Sequence, residues 1–142
     1  MKTQNYSNHS RLVAGWHGLT FFAILAFWIG SFVNLANAEG PALYSASLLS
    51  VAGFIFVCFF VFVRMFALKA QDRAIRAEEN LRHFALTGKL LPSGLGIGQI
   101  VALRFAADEE FAALAVKAAE ENLTGKQIKQ SIHNWNADTY RV

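Results

Sequence analysis

The residue types that most often carry chemistry are few in this sequence, and they are scattered along it. There are four histidines and one cysteine: His9, His17, His83, His133 and Cys58. None stands at a metal-type spacing from another histidine, a cysteine or a carboxylate. With one cysteine, an intrachain disulfide is excluded. The sequence therefore predicts no catalytic residue, no metal ligand and no bound cofactor.

His17 is the one histidine that supports a specific alternative, because it stands at the start of an apolar segment. There it could ligate a haem or chlorophyll from one side, as in an electron-transfer subunit. Without a second ligand, the simpler interpretation is an interfacial histidine that hydrogen-bonds headgroups or backbone.

A small enzyme acting at the membrane surface is a second alternative. It requires polar groups of the C-terminal half to converge.

Charge is distributed unevenly along the 142 residues. Charged residues make up 16 % of the chain and apolar residues 54 %, whereas soluble domains average about 25 % charged. No charged residue lies between Arg11 and Glu39 or between Glu39 and Arg64. A helix needs about 20 apolar residues to cross a bilayer. The chain thus predicts two transmembrane helices, at about 12–36 and 42–64, that form a hairpin over 1–64.

The polar segment between the two apolar runs has two interpretations. Ala36-Asn37-Ala38 resembles a signal-peptidase site, which would remove everything before Glu39. The apolar run is long for a signal peptide, however, and the segment before it is extended. The Gly40-Pro41 pair is typical of a turn that leads into a helix. We therefore expect a hairpin loop.

Basic residues predict the orientation. Lys2 and Arg11 precede the first apolar run, Arg64 and Lys69 follow the second, and the loop has neither Lys nor Arg. The positive-inside rule then places both termini in the cytoplasm of a multi-pass membrane protein. The net charge of +3 does not indicate nucleic-acid binding, because acidic and basic residues interleave after Arg64.

Small residues suggest how the two helices pack. Ala26 and Gly30 are four apart on the first, and Ala46, Ser50 and Gly53 share one side of the second. Small residues let helix backbones approach closely in lipid. A chance pattern in an alanine-rich chain is the alternative.

The second helix should continue past the membrane as an amphipathic segment, residues 65–88, which we call the stalk. Its apolar residues recur three or four apart, and we call this row the stalk seam: Phe66, Ala70, Ala74, Ala77, Leu81 and Phe84. Such a row predicts a covered helix face. The stalk could pack on the terminal domain, on a second copy or on lipid headgroups. Glu78 and Arg82 are placed for an ion pair on the exposed side.

A Gly/Pro linker, 89–98, leads to a small helical domain, 99–142. Asp108 is placed to cap the second of three short helices, with Glu109 in its first turn. Thr124 begins a capping box that opens the third, on which Trp135 shares a face with Ile128. A three-helix core of this size is near the lower limit for folding alone. The domain should lean on the stalk, the membrane or a partner.

Three stretches, "QNYSNHSR", "ALRFAADEEFAAL" and "IKQSIHNWNADTYRV", resemble an uncharacterised bacterial family of small membrane proteins, a domain-of-unknown-function family. The resemblance runs from Asn5 to Val142 and implies two membrane helices with a cytoplasmic helical tail, but no activity. It also marks the candidate docking residues Arg104, Asp108, Glu109, Trp135, Asp138 and Arg141.

The sequence therefore predicts an all-α membrane protein: a two-helix transmembrane hairpin, a cytoplasmic stalk and a three-helix C-terminal bundle. The expected function is a non-enzymatic accessory or scaffold subunit. It would contact lipid, pack against a larger membrane complex or another copy, and dock through its tail.

Overall fold

The computed structural model describes residues 4–9 and 12–138, and over these residues the chain is helical. A π-helical turn, Gly15–Thr20, leads directly into the first of five α-helices. Their bounds are α1 Phe21–Ala36, α2 Ala42–Thr87, α3 Ile97–Leu103, α4 Asp108–Glu120 and α5 Gly125–Ser131. The described residues contain no strand, and one isolated bridge pairs Ala106 with Trp135. The all-helical class is confirmed.

The chain divides into two compact units, which split α2 between them. One consists of residues 12–67 among those described; the other combines residues 4–9 with residues 68–138. Residues 68–88 of the predicted stalk and the described part of the small domain thus belong to one unit, together with the N-terminal arm, residues 4–9.

Two helical segments are, by length and composition, long and apolar enough to cross a membrane. They are Gly15–Ala36 and Ala42–Thr87. The second has 46 residues and is about 69 Å long at 1.5 Å per residue. Between α1 and α2 the chain turns at Gly40, whose φ of +53° is readily adopted only by glycine.

Small residues of α2 lie against α1. Ala46, Ser50 and Gly53 are buried, and the Ser50 hydroxyl donates to the Ser31 carbonyl at 3.2 Å. A Cβ added at Gly53 would lie 2.4 Å from a ring carbon of Trp28. The backbone of α2 therefore approaches α1 as closely as glycine permits.

The residues expected to meet them from α1 lie elsewhere. Ala26 and Gly30 are exposed, and a Cβ at Gly30 would have no neighbour within 4 Å. Trp28 and Ser31 occupy the contact instead. The size of the Trp28 side chain determines which face of α1 lies against α2, because its indole fills the space that Gly53 leaves open.

In the second unit, α3, α4 and α5 enclose a core to which α2 and the linker contribute. Phe105, Phe111, Leu103 and Ile128 are fully buried. Gly88, with a φ of +71°, terminates α2. Two linker leucines, Leu91 and Leu95, are buried in the core, as is Ile75 of α2. The linker is therefore anchored and is not a free hinge.

Two local predictions about the short helices were wrong and one is confirmed. Ala107, not Asp108, is the N-cap residue of α4. Trp135 lies beyond α5, because Ile132 already takes an extended conformation (ψ 122°). The Thr124 hydroxyl does accept the backbone N–H of Gln127 in a capping box.

The stalk seam is exposed within the chain, so of the three surroundings expected for it, packing on the terminal domain is wrong. Phe66, Leu81 and Phe84 are 61 %, 69 % and 52 % exposed. The buried residues of the stalk are Ile75, Glu79 and His83. At 3.6 residues per turn, these lie roughly 170° around α2 from the centre of the seam. The helix packs on its own domain through its more polar face.

Candidate functional site

Polar residues of the stalk and of α4 meet at Arg82. Its Nε donates to Asp108 Oδ1 at 2.7 Å, and its Nη2 donates to the Ala106 carbonyl at 2.8 Å. Its Nη1 lies 3.2 Å from Glu79 Oε2. The guanidinium carbon stands 4.3 Å from the centre of the Phe111 ring, at cation–π distance. Arg82 therefore forms ion pairs with Glu79 and Asp108. The ion pair with Glu78 that the sequence predicted is not formed.

The carboxyl group of Glu79, next to Arg82, has a raised pKa. Burial raises its pKa above the usual 4.5, and the attraction of Arg82 only partly offsets that effect. Desolvation disfavours the charged form of a carboxyl. Glu79 is 8 % exposed, so its ionised form depends on Arg82.

His83 is buried one turn further along the same face of α2. Its Nδ1–H donates to the Lys89 carbonyl at 2.7 Å, which ties the linker to the stalk. Its ring packs edge-on against Phe111, with centroids 5.9 Å apart. The Nε2 atom has no hydrogen-bond partner among the described residues.

Three of the candidate docking residues form a second cluster. Arg104 and Asp138 form an ion pair with side chains 10 % and 20 % exposed. Trp135 stacks on Phe105 at 4.7 Å. These side chains serve internal packing, so they leave little surface for a partner.

The N-terminal arm closes this cluster. Gln4 Oε1 accepts the backbone N–H of Asp138 at 2.7 Å, and Gln4 Nε2 donates to the Asp138 carbonyl at 3.1 Å. The His9 ring lies 5.7 Å from Phe105 and 5.8 Å from Trp135. This contact between the two ends of the chain was not predicted from the sequence. The polar and aromatic residues in "QNYSNHSR" were its only signal.

The remaining candidate docking residues are dispersed. Asp108 is 62 % exposed and pairs with Arg82, while Glu109 is exposed in the first turn of α4. Glu110, which sequence analysis did not select, accepts the backbone N–H groups of His133 and Asn134 at 3.1 and 2.9 Å. Arg141 lies outside the described residues.

His17 lies within the π-helical turn, half-buried. Its Nδ1 is 3.1 Å from both the amide nitrogen and the carbonyl oxygen of Val13. No group of three or more His, Cys, Asp or Glu side chains that could hold a metal occurs within residues 4–9 and 12–138.

Comparison with curated proteins and with solved structures finds no significant match. The family model that does match is described as a family of unknown function, and it covers residues 1–142. The resemblance to an uncharacterised domain-of-unknown-function family is thereby confirmed. The chain belongs to the family of unknown function DUF6526.

Proposed function

We propose that this chain is a non-enzymatic accessory or scaffold subunit of the bacterial inner membrane. In this proposal α1 and the apolar part of α2 form a transmembrane hairpin, and both termini lie in the cytoplasm. The second unit then acts as a cytoplasmic docking domain for a larger membrane complex.

The observation that carries the proposal is the exposed apolar surface of both long helices. Phe22, Phe32, Phe59 and Val61 are each at least 50 % exposed, as are several of their neighbours. Monomeric soluble proteins rarely expose contiguous apolar patches of more than a few hundred Å². Lipid and partner helices are the surroundings that can cover such a surface.

Contacts of the N-terminal arm support a shared side for both ends of the chain. Gln4 hydrogen-bonds the backbone of Asp138 in both directions. Two ends that bind each other lie on one side of a membrane, which agrees with two crossings and with the basic flanks at Arg11 and Arg64.

The pairing of polar groups supports a role without catalysis. A membrane-surface enzyme requires stalk and tail groups to converge, and Arg82, Glu79 and Asp108 do so. Their hydrogen bonds are directed at one another, however, and hold the stalk against α4. A structural role accounts for the whole arrangement.

The outer face of α4 is the surface best suited to docking. Val116 is 44 % exposed. The residues around it are also exposed: Glu109, Ala113, Lys117 and Glu120. This combination of an apolar centre and a charged rim is the pattern of protein interfaces. Of the candidate docking residues predicted from the sequence, this surface includes Glu109.

The test is a gentle-detergent pull-down from native membranes, with intact mass and an absorption spectrum measured on the same sample. We expect full-length protein with a stoichiometric partner. Val116→Asp should lose the partner, whereas Lys126→Glu, an exposed charge reversal on α5, should keep it. A monodisperse monomer without a partner would contradict the proposal, and loss of residues 1–38 would contradict the hairpin.

A second candidate, a cofactor-binding electron-transfer subunit, is favoured by one observation. If Nδ1 of His17 donates to the Val13 carbonyl, the Nε2 lone pair is left for a ligand, the arrangement typical of metal-ligating histidines. This candidate predicts a visible absorbance band that is lost in His17→Ala. A colourless full-length preparation would exclude it.

A further inference from the structure

The exposed stalk seam is the feature of the cytoplasmic half that intramolecular packing leaves unexplained. Ala70, Ala74, Ala77, Leu81 and Phe84 belong to the second unit, and all five are exposed. Their spacings of four, three, four and three are those of alternating d and a positions in a coiled coil. An intramolecular partner is already engaged on the opposite face of α2.

We propose that the stalk seam is the contact between two copies of this chain, which pair in parallel along α2. This inference rests on the membrane placement given under Proposed function and names one partner of the stalk. Two copies inserted with the same topology are related by an axis along the membrane normal, so their α2 helices run in the same direction. The contact is then the same patch on both copies.

Charges beside the seam support a second copy as the occupant. If Ala74 and Leu81 occupy a positions, Arg73 is a g residue and Glu78 the following e residue. In a parallel pair, each g residue faces the e residue of the next heptad on the other helix. Arg73 of each copy thus meets Glu78 of the other. Both side chains are exposed, and neither forms an ion pair within the described chain.

The same features argue against the lipid surface as the occupant. Helices that lie on anionic membranes are rich in Lys and Arg on the polar face, whereas the polar residues of the stalk include Asp72, Glu78 and Glu79 beside the basic ones.

From Ala70 onward, the side chains of the stalk seam become larger toward the C-terminal end of the stalk. Alanines at positions 70, 74 and 77 let two backbones approach closely near the membrane. Leu81 and Phe84 then supply apolar contact at the far end. A short seam of this kind gains from the bilayer, which holds both copies in one plane and raises their effective concentration.

Cysteine cross-linking in native membranes tests the pairing. In a Cys58→Ser background, Ala77→Cys and Leu81→Cys place a thiol on the seam, while Arg76→Cys places an exposed thiol off it. Oxidation should convert the two seam variants into a species of twice 15.7 kDa and leave Arg76→Cys largely monomeric. Equal yields at positions 76 and 77, an adduct of any other mass, or no adduct would overturn the proposal.

Charge reversal tests the register and direction. In the Ala77→Cys, Cys58→Ser chain, Arg73→Glu or Glu78→Arg alone should lower the cross-linked fraction about fivefold, because two exposed contacts become repulsive. The double reversal should restore it. An unchanged yield in the single variants, or a double variant as weak as the singles, would refute the parallel register.

One further measurement separates this inference from the membrane proposal on which it rests. The off-seam thiol of the Arg76→Cys, Cys58→Ser chain is labelled with a membrane-impermeant maleimide in sealed vesicles of both orientations. Labelling confined to inside-out vesicles, together with a seam-specific dimer, supports both proposals. The same labelling without a dimer refutes the pairing alone. Labelling from the other side refutes the membrane orientation.

Discussion

Replacement of Arg82 by alanine is the sharpest test of how the stalk is held against α4. The guanidinium contacts Glu79, Asp108 and the Ala106 carbonyl, and it lies over the Phe111 ring. Its side chain is 19 % exposed. Alanine removes all of these contacts at once.

The expected loss is dominated by the buried partners. Asp108 is 62 % exposed, so its screened pair contributes at most about 1 kcal/mol. The buried Ala106 carbonyl loses a charge-assisted hydrogen bond, a loss of about 1.5–3 kcal/mol. Glu79 loses its counter-ion, but protonation limits that cost because burial already raises its pKa. Since coupled terms do not add, we expect a loss of about 2–3 kcal/mol.

Hydrogen exchange of the α4 amides, measured by mass spectrometry on the full chain in detergent, reports this loss. A decrease of 2–3 kcal/mol in the opening free energy corresponds to exchange about 30- to 150-fold faster. Arg73→Ala is the matched control, because Arg73 is an exposed arginine of the same helix. It should change the α4 rates less than about threefold.

Two results would refute this reasoning. One is an Arg82→Ala effect no larger than that of Arg73→Ala, which would mean that the apolar core alone holds the stalk. The other is an equal effect of Asp108→Ala, which would place the energy in the exposed pair. A double variant with Glu79→Gln completes the cycle, and in that background Arg82→Ala should cost less, because no buried charge is left behind.

Three further predictions concern other contacts. The folded state raises the pKa of Glu79 above 4.5. The contribution of Glu79 to the free energy of unfolding is therefore greatest at low pH and is lost as pH rises through the raised pKa. Glu79→Gln should remove this pH dependence from melting curves recorded between about pH 4.5 and pH 8. Gly53→Ala should lower the thermal stability of the α1–α2 contact by about 1–3 kcal/mol through overpacking against Trp28, whereas Gly30→Ala, which meets open space, should not; equal melting temperatures would contradict the observed contact. Gln4→Ala should speed proteolysis within the N-terminal arm about fivefold or more by removing three hydrogen bonds. An unchanged cleavage rate would show that the aromatic contacts suffice.

The apolar half was largely predictable because its signal is local. Length and hydropathy alone define the two long helices, and a glycine and a proline define the turn between them. The choice of contacting residues on α1 was not predictable in this way. Ala26 and Gly30 satisfy a small-residue pattern as well as Ser31 does, and only the volume of Trp28 determines which side faces α2.

The buried face of the stalk shows the limit of periodicity most clearly. A hydrophobic pattern assigns burial to apolar residues and exposure to charged ones. Glu79 and His83 are nevertheless buried, because Arg82 and the Lys89 carbonyl, 3 and 6 residues further along the chain, supply the polar partners that burial requires. The apolar residues of the stalk seam lie on the opposite side of α2 and are therefore exposed.

Contacts between distant parts of the chain were beyond the sequence. Gln4 and Asp138 are 134 residues apart, and nothing in either local pattern names the other. Likewise, Arg104 and Asp138 read as two surface charges until the fold brings them together.

The sequence by itself determined the helical class, the two apolar segments, the unbroken second helix and the capping box at Thr124. Each of these depends on neighbouring residues, whose propensities and hydropathy act over a few turns. Only the tertiary structure decided which face of the stalk is buried, which candidate docking residues pair internally, and where the N-terminal arm binds. Those outcomes depend on shape and on hydrogen-bond partners far away in the chain, which a local pattern does not encode.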